Sequence, residues 1–430
     1  MDNQEFSTPA FKRSRWAYTL ECAFEYFIAL LVTDVFLATL LAEMGIPDSV
    51  IGVISSLMSV AYLFQLFSLF IVQHIRNVKL VAVPIHCICQ LFFMALYLLP
   101  FLNVTRSFRI VATVLCILIG YFGNYLVTSI IFNWGNAFVL PHKRANFAAL
   151  KEIISLISGI VVTLLMGYAL DRFIESGNVN GGFIFIAVVI FISNLFDFIC
   201  LMLIKNQKQT KAEAERPEPF FTVLRNLFTN KSFVYTVILH SMWSVAVYMT
   251  TGFMGIYKTK DLMITVGTVQ VINLSASLLR AVFSMPIATY SAKKSYAKGI
   301  MLGMYIAAAG FLINIFTTPS TWWLVILFTV LYNVSSAGTS QNMLNLTYSY
   351  VDRRYFVQAS AIKTSISGIL GFGASILGGI ILNAVQSGGN KILGITVYGQ
   401  QLLSLISLVI VVCAILFVKL VLGKQREIAK

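Results

Sequence analysis

The chain has 430 residues, of which 58% are hydrophobic and only 11% charged, and a mean hydropathy of +0.84; that balance excludes a soluble globular domain and implies an integral membrane protein. Its net charge of +14 does not point to nucleic acid, because the basic residues gather in short loops between apolar runs, as the positive-inside rule requires. The six cysteines, Cys22, Cys87, Cys89, Cys116, Cys200 and Cys413, all lie within apolar runs without redox or zinc spacing, so they read as packing residues, with no metal site and no cofactor expected.

At roughly 20 apolar residues per crossing, the sequence divides into twelve predicted spans. They cover 17–42, 47–73, 79–101, 108–138, 145–171, 182–204, 232–256, 264–290, 297–317, 321–345, 355–383 and 398–422. The fold class is therefore all-α and integral to the membrane, with twelve helices in two pseudo-symmetric six-helix bundles. The N-terminal half is 1–204, the C-terminal half 232–430, and 205–231 is a polar linker whose Phe220, Phe221, Leu224, Leu227 and Phe228 are spaced as a short amphipathic helix on the membrane surface. With the N-terminus inside, 22 Lys and Arg fall on the inner side and 6 on the outer, which predicts cytoplasmic termini and a cytoplasmic linker. Asn103 and Asn345 match the glycosylation pattern, but Asn345 falls on the inner side and neither carries weight.

Ionisable residues inside a span are functional candidates by default. The first span carries Glu21, Glu25 and Asp34, and these charges also argue against a cleavable leader. Glu21 and Glu25 share a helix face, whereas Asp34 lies half a turn away from Glu25, so one set lines a cavity unless the helix is broken. Glu25, deeper than Glu21, and Asp34 are the alternatives for a proton-coupling carboxylate. The fourth span carries Asn133 and Trp134, and the tenth Asn333 and Gln341; with Trp243 of the seventh, these amides and rings suit a hydroxylated solute such as a sugar. In the eighth span Asn273, Ser277, Arg280 and Ser284 form a polar stripe, and Arg280 is the candidate group for an anionic substrate.

The chain also repeats itself. A shift of 212 carries Lys151 onto Lys363, Ser155 onto Ser367, Gly159 onto Gly371 and Gly167 onto Gly379, and a shift of 215 carries Gly52 onto Gly267. Such long repeats exclude a solenoid and fit two parallel halves of a transporter. The paired placement of Lys151 and Lys363, toward the inner ends of their spans, predicts an inner gate, with Arg76 and Arg144 as further gate residues.

With two six-helix halves, cytoplasmic termini, a basic linker and Gly-rich fifth and eleventh spans, the chain resembles the major facilitator superfamily over nearly its whole length. The family's loop motif after the second span, Gly-x-x-x-Asp-Arg-x-Gly-Arg-Arg, is reduced here to Arg76 and Lys79 in Gln73–Lys79, and the proline-containing antiporter signature is missing from Gly159–Gly167. The resemblance implies secondary active transport by two halves rocking around a midplane site, with the first, fourth, seventh and tenth spans lining the cavity. That promotes His240 as a further proton-coupling group and demotes His86 and Asp197. Nothing in the sequence cradles ATP, supplies a catalytic nucleophile or forms a channel filter. The expected activity is proton-coupled uptake of a small polar solute, sugar-like or an organic anion, by a plasma-membrane monomer whose partners are the solute, lipid and protons. Drug efflux and non-transporting solute sensing are the alternatives, and the short tails argue against a sensor.

Overall fold

A computed structural model describes residues 8–71, 77–140, 144–206, 219–392 and 395–422. A bilayer offers the backbone no water to bond, so apolar segments satisfy their N–H and C=O groups internally as helices. In the first part of the chain these are α1 (Pro9–Leu31), α2 (Asp34–Glu43), α3 (Asp48–Ser55), α4 (Leu57–Ala61), α5 (Phe64–Ile71), α6 (Val78–Leu96), α7 (Arg106–Asn136), α8 (Arg144–Glu175) and α9 (Val179–Leu203). Then follow α10 (Phe220–Thr229), α11 (Lys231–Thr250), α12 (Met254–Ile256), α13 (Val266–Lys293), α14 (Tyr296–Asn314), α15 (Leu324–Tyr350), α16 (Phe356–Ser387) and α17 (Gly399–Leu420). A two-residue β-hairpin pairs Lys391–Ile392 with Ile395–Thr396 between the last two helices.

Among the described residues ten helical stretches are long and apolar enough to cross a membrane, and α1 with α2, bent by 43°, adds an eleventh. The protein is therefore a multi-pass membrane protein. The tenth predicted span coincides with α15, which does not reach the apolarity of the others because it carries Asn333, Ser335, Ser336, Thr339, Ser340, Gln341, Asn342 and Asn345. The first span is broken at Val32–Thr33, and Asp34 opens α2 with φ +47°, a left-handed conformation that an aspartate tolerates better than most residues. Carbonyls freed at such a break need partners; the Tyr97 hydroxyl donates to the Leu31 carbonyl, and the Thr33 hydroxyl donates back to Ala29 O at 3.1 Å.

The described chain forms two compact units, Met1–Ile46 with Phe67–Glu215 and Pro47–Leu66 with Arg216–Lys430, so the helical segment 47–66 packs with the later part of the chain. In the first unit α1 packs on α8 and α9, and α6 on α7 and α9; in the second α11 packs on α16 and α17, and α14 on α15 and α17. The repeat extends to helix ends. Both α8 and α16 have 32 residues, and the shift of 212 carries Arg144 to Phe356 and Glu175 to Ser387. Similarly α6 and α14 have 19 residues each, and a shift of 218 carries Val78 to Tyr296. The repeated glycines admit matching rings: a Cβ on Gly159 would lie 2.6 Å from the Tyr26 ring, and one on Gly371 would lie 2.6 Å from that of Tyr248.

Phe11, Tyr18, Val83, Ile130, Trp134 and Phe138 are buried together in the first unit. On α8, by contrast, Ile157, Val161 and Leu165 are exposed, which is the expected face toward lipid. In the second unit α10 is amphipathic as its spacing predicts, with Val223 and Leu227 buried beside Phe233 and Ile362 while Phe221 is exposed.

Candidate functional site

In the first unit the polar residues of three helices converge. Glu21 of α1, His86 of α6 and Asp197 of α9 are each at most 1% exposed, and one ligand atom from each lies within 4.8 Å of the others. His86 Nε2 is 2.9 Å from Asp197 Oδ2 and 2.8 Å from Gln90 Nε2 one helical turn away. Asn194 Nδ2 donates to the Cys87 carbonyl at 3.0 Å, tying α9 to α6 beside the cluster. The Cys22 thiol is 3.1 Å from Glu21 Oε2. The sequence reading separated these residues: it placed Glu21 near the interface and His86 and Asp197 at the periphery. Their spacing carries no common signal, since three helices far apart in the chain bring them together. Three ionisable residues within apolar runs were the available hint.

Glu25, one turn beyond Glu21, is half-buried. The basic groups near it are His86 and Lys151, and the neighbouring acid is Asp197. Lys151 Nζ donates to the Tyr18 hydroxyl at 3.1 Å and stands 4.6 Å from the centroid of that ring. Asp34 lies across the kink from Glu25 and is half-buried. Trp134 is buried in the apolar cluster, with its indole N–H donating to the Lys205 carbonyl at 3.1 Å, so both ring and donor have partners within the unit.

The interior of the second unit also holds basic side chains. Lys363 is 2% exposed, donates to Thr347 Oγ1 at 3.0 Å and to the Met343 carbonyl at 3.3 Å, and among the described residues it pairs with no carboxylate. His240 lies close enough to feel that charge, and its buried Nδ1 has no hydrogen-bond partner among the described residues. Trp243, one turn on, is buried. Arg280 is exposed on α13, with Asn273 and Ser277 half-buried on the same stripe; its charge acts on the Tyr332 hydroxyl of α15. Asn333 Nδ2 donates to Thr329 O at 2.9 Å and Gln341 Nε2 to Asn345 Oδ1 at 3.2 Å, each along its own helix, which leaves Asn333 Oδ1 and Gln341 Oε1 as acceptors. Arg76 lies outside the described residues, as do the side chains of Asn133 and Arg144.

A further polar group lies at the start of α3. Asp48 accepts from Lys260 Nζ at 2.8 Å on both carboxylate oxygens and from Gln386 Nε2 at 2.9 Å. The three residues come from α3, the end of the α11–α12 span and the end of α16, and Asp48 and Gln386 line a small pocket with Tyr257, Asp261 and Tyr398. No sequence motif announced this tie.

No known protein-family profile matches the chain, and no curated protein matches it. Solved structures match almost from end to end. The nucleoside transporter NupG aligns with a TM-score of 0.71 at 17% identity, covering 94% of this chain and 99% of its own. A bacterial homologue of the human lysosomal transporter Spinster, in an inward-facing and unoccupied conformation, aligns at 0.67 and 15% identity over 98% and 100%. An auto-inhibited POT family peptide transporter aligns at 0.69 and 11% identity over 97% and 98%. At these identities the likeness establishes the fold alone, the one that these transporters share.

Proposed function

We propose that this chain is a secondary active transporter that moves a small polar solute across the plasma membrane by alternating access, with the proton as coupling ion. On this reading it has twelve spans in two six-helix halves, 1–204 and 232–430, joined by the linker 205–231, and it works as a monomer with both termini in the cytoplasm. The observation that carries the reading is the set of ionisable side chains held within the spans of a transporter fold. A charge at the bilayer centre costs at least about 2.5 to 3.5 kcal/mol, so Glu25, Asp34, His240 and Arg280 are retained against a substantial penalty.

Glu25 is the coupling carboxylate, with Asp34 beyond the kink and His240 in the other unit as further proton-carrying groups. Arg280 with Asn273 and Ser277, the amides of Asn133, Asn333 and Gln341, and the ring of Trp243 contact the solute, whereas Trp134, its ring and N–H already engaged, drops out of the binding set. Lys151, Lys363, Arg76 and Arg144 gate the inner side. The similar structures include nucleoside and peptide transporters and a POT family transporter in complex with 5-aminolevulinic acid. Those solutes are polar and rich in hydrogen-bonding groups, which supports uptake of a sugar-like or organic-anion metabolite over efflux of apolar cations.

The test is uptake into proteoliposomes under an imposed pH gradient, across a panel of nucleosides, sugars, organic acids, peptides and cationic dyes. Accumulation of a polar member above its equilibrated level, abolished by a protonophore, is the expected result. Accumulation of the dyes alone would assign the chain to efflux, and equal uptake with and without the gradient would remove the proton from the mechanism.

A further inference from the structure

The Glu21–His86–Asp197 cluster poses a problem that its own hydrogen bonds do not solve. With a Gln90 amide N–H donating to His86 Nε2, that nitrogen presents a lone pair, and its 2.9 Å contact with Asp197 Oδ2 sets two electron pairs against each other. The contact becomes attractive only with positive charge shared between them. Turning the amide so that Gln90 Oε1 faces the imidazole leaves two acceptors competing for one N–H. Around this point His86 Nδ1, Gln90 Oε1, Asn194 Oδ1 and both carboxylate oxygens of Asp197 are buried without a hydrogen-bond partner among the described residues. An orphaned buried acceptor costs about 1 to 3 kcal/mol, more if charged, and four such oxygens at one place, beside an imidazole, call for a ligand.

The charges specify its sign. Glu21, Glu25 and Asp197 supply three negative charges when ionised, and Lys151, which acts on both Cys22 and Glu25, supplies one positive charge. A neutral imidazole and a divalent cation bring the group to zero. The donor set specifies the ion. Two carboxylates, an imidazole nitrogen and the amide oxygen of Gln90 suit a borderline first-row ion such as Zn²⁺, whereas Mg²⁺ and Ca²⁺ prefer sites made entirely of oxygen. We infer that Glu21, His86 and Asp197, with Gln90 as a fourth donor, form a binding site for a divalent transition-metal ion within the N-terminal unit. The site is independent of the transport reading, because its occupancy can be measured without moving any solute.

The full chain, purified in detergent and stripped with a chelator, is equilibrated with Zn²⁺ and its retained metal measured by mass spectrometry. One ion per chain is expected, with at least a tenfold weaker affinity in Asp197→Asn and in His86→Gln. Because either variant can fail to fold, Co²⁺ is also bound to the unaltered chain. Visible d–d bands without thiolate charge transfer are expected from oxygen and nitrogen ligands, although Cys22 and Cys87 lie close by. Three results would overturn the site: no Zn²⁺ above a metal-free control protein, undiminished binding in a folded Asp197→Asn chain, or a cobalt spectrum dominated by thiolate. The first of these would mean that a proton holds the cluster together in place of a metal.

Discussion

Lys151 and Lys363 occupy repeat-related places on two helices of 32 residues each, α8 and α16, yet their surroundings differ. Lys151 has the Tyr18 hydroxyl and the charge of Glu25, whereas Lys363 has the Thr347 hydroxyl and the Met343 carbonyl. The shift of 222 that carries Tyr26 onto Tyr248, the two rings beside the repeated glycines, also carries Tyr18 onto His240, Glu21 onto Trp243 and Glu25 onto Val247. The shift of 218 between α6 and α14 carries His86 onto Met304, which is fully buried. Two units with one helix-packing plan have thus diverged in charge at corresponding positions: the first sets Glu21 and Glu25 near basic groups, and the second has Trp243 and Val247 in their places, with Lys363 held by a hydroxyl and a carbonyl. The architecture survives because buried helix contacts depend on size and on close approach at glycine, while the charge at a given position is free to change if its partners change with it.

The largest expected effect falls on the carboxylate that has no counterpart. Glu25→Gln should reduce proton-driven accumulation to the equilibrated level while leaving solute exchange measurable. Should the variant concentrate solute like the parent under an imposed pH gradient, the coupling role passes to Asp34.

Next in size is a contrast of sign between the two lysines. Lys151→Met leaves Tyr18 Oη without its donor and takes from Glu25 one of its two basic neighbours, at a cost of about 1 to 3 kcal/mol, less than for a fully buried pair because both charged groups are half-exposed. Lys363→Met removes a desolvated charge that has no carboxylate, and Thr347 stays bonded through its own contact to the Met343 carbonyl. That variant should be neutral or more stable, by up to about 1 kcal/mol. Thermal unfolding midpoints of both proteins in the same detergent measure the contrast, and equal losses would show that the two environments are equivalent.

Val247→Glu transplants the missing carboxylate. Alone it buries an acid, but if it reaches Lys363 as Glu25 reaches Lys151 it should recover about 1 kcal/mol in a double-mutant cycle with Lys363→Met. A coupling energy indistinguishable from zero would mean that the correspondence by shift does not place position 247 near Lys363. Among single-ligand effects, Arg280→Lys should weaken binding of anionic solutes about tenfold, about 1.4 kcal/mol, because an ammonium cannot give the paired hydrogen bonds of a guanidinium. Neutral solutes should be unaffected. Unchanged affinity for every ligand that binds the parent would leave Arg280 as a structural charge.

The sequence alone determined that the chain is helical and membrane-embedded, and it placed its segments well. Hydropathy and the demand that backbone groups bond internally act along the chain, so helix length and period are written locally. The 212-residue repeat was legible for the same reason: Lys151, Ser155 and Gly159 recur in order. Tertiary structure alone decided which ionisable residues meet. Glu21 read as an interface residue and His86 and Asp197 as peripheral ones, because depth and helix number were the only guides; their convergence depends on the rotation of α1, α6 and α9 about their axes, which no local pattern encodes. The kink at Thr33–Asp34 and the grip of Gln386 and Lys260 on Asp48 likewise arise from contacts between segments remote in the chain. Packing between helices selects one face of each, and that selection is a property of the assembled bundle.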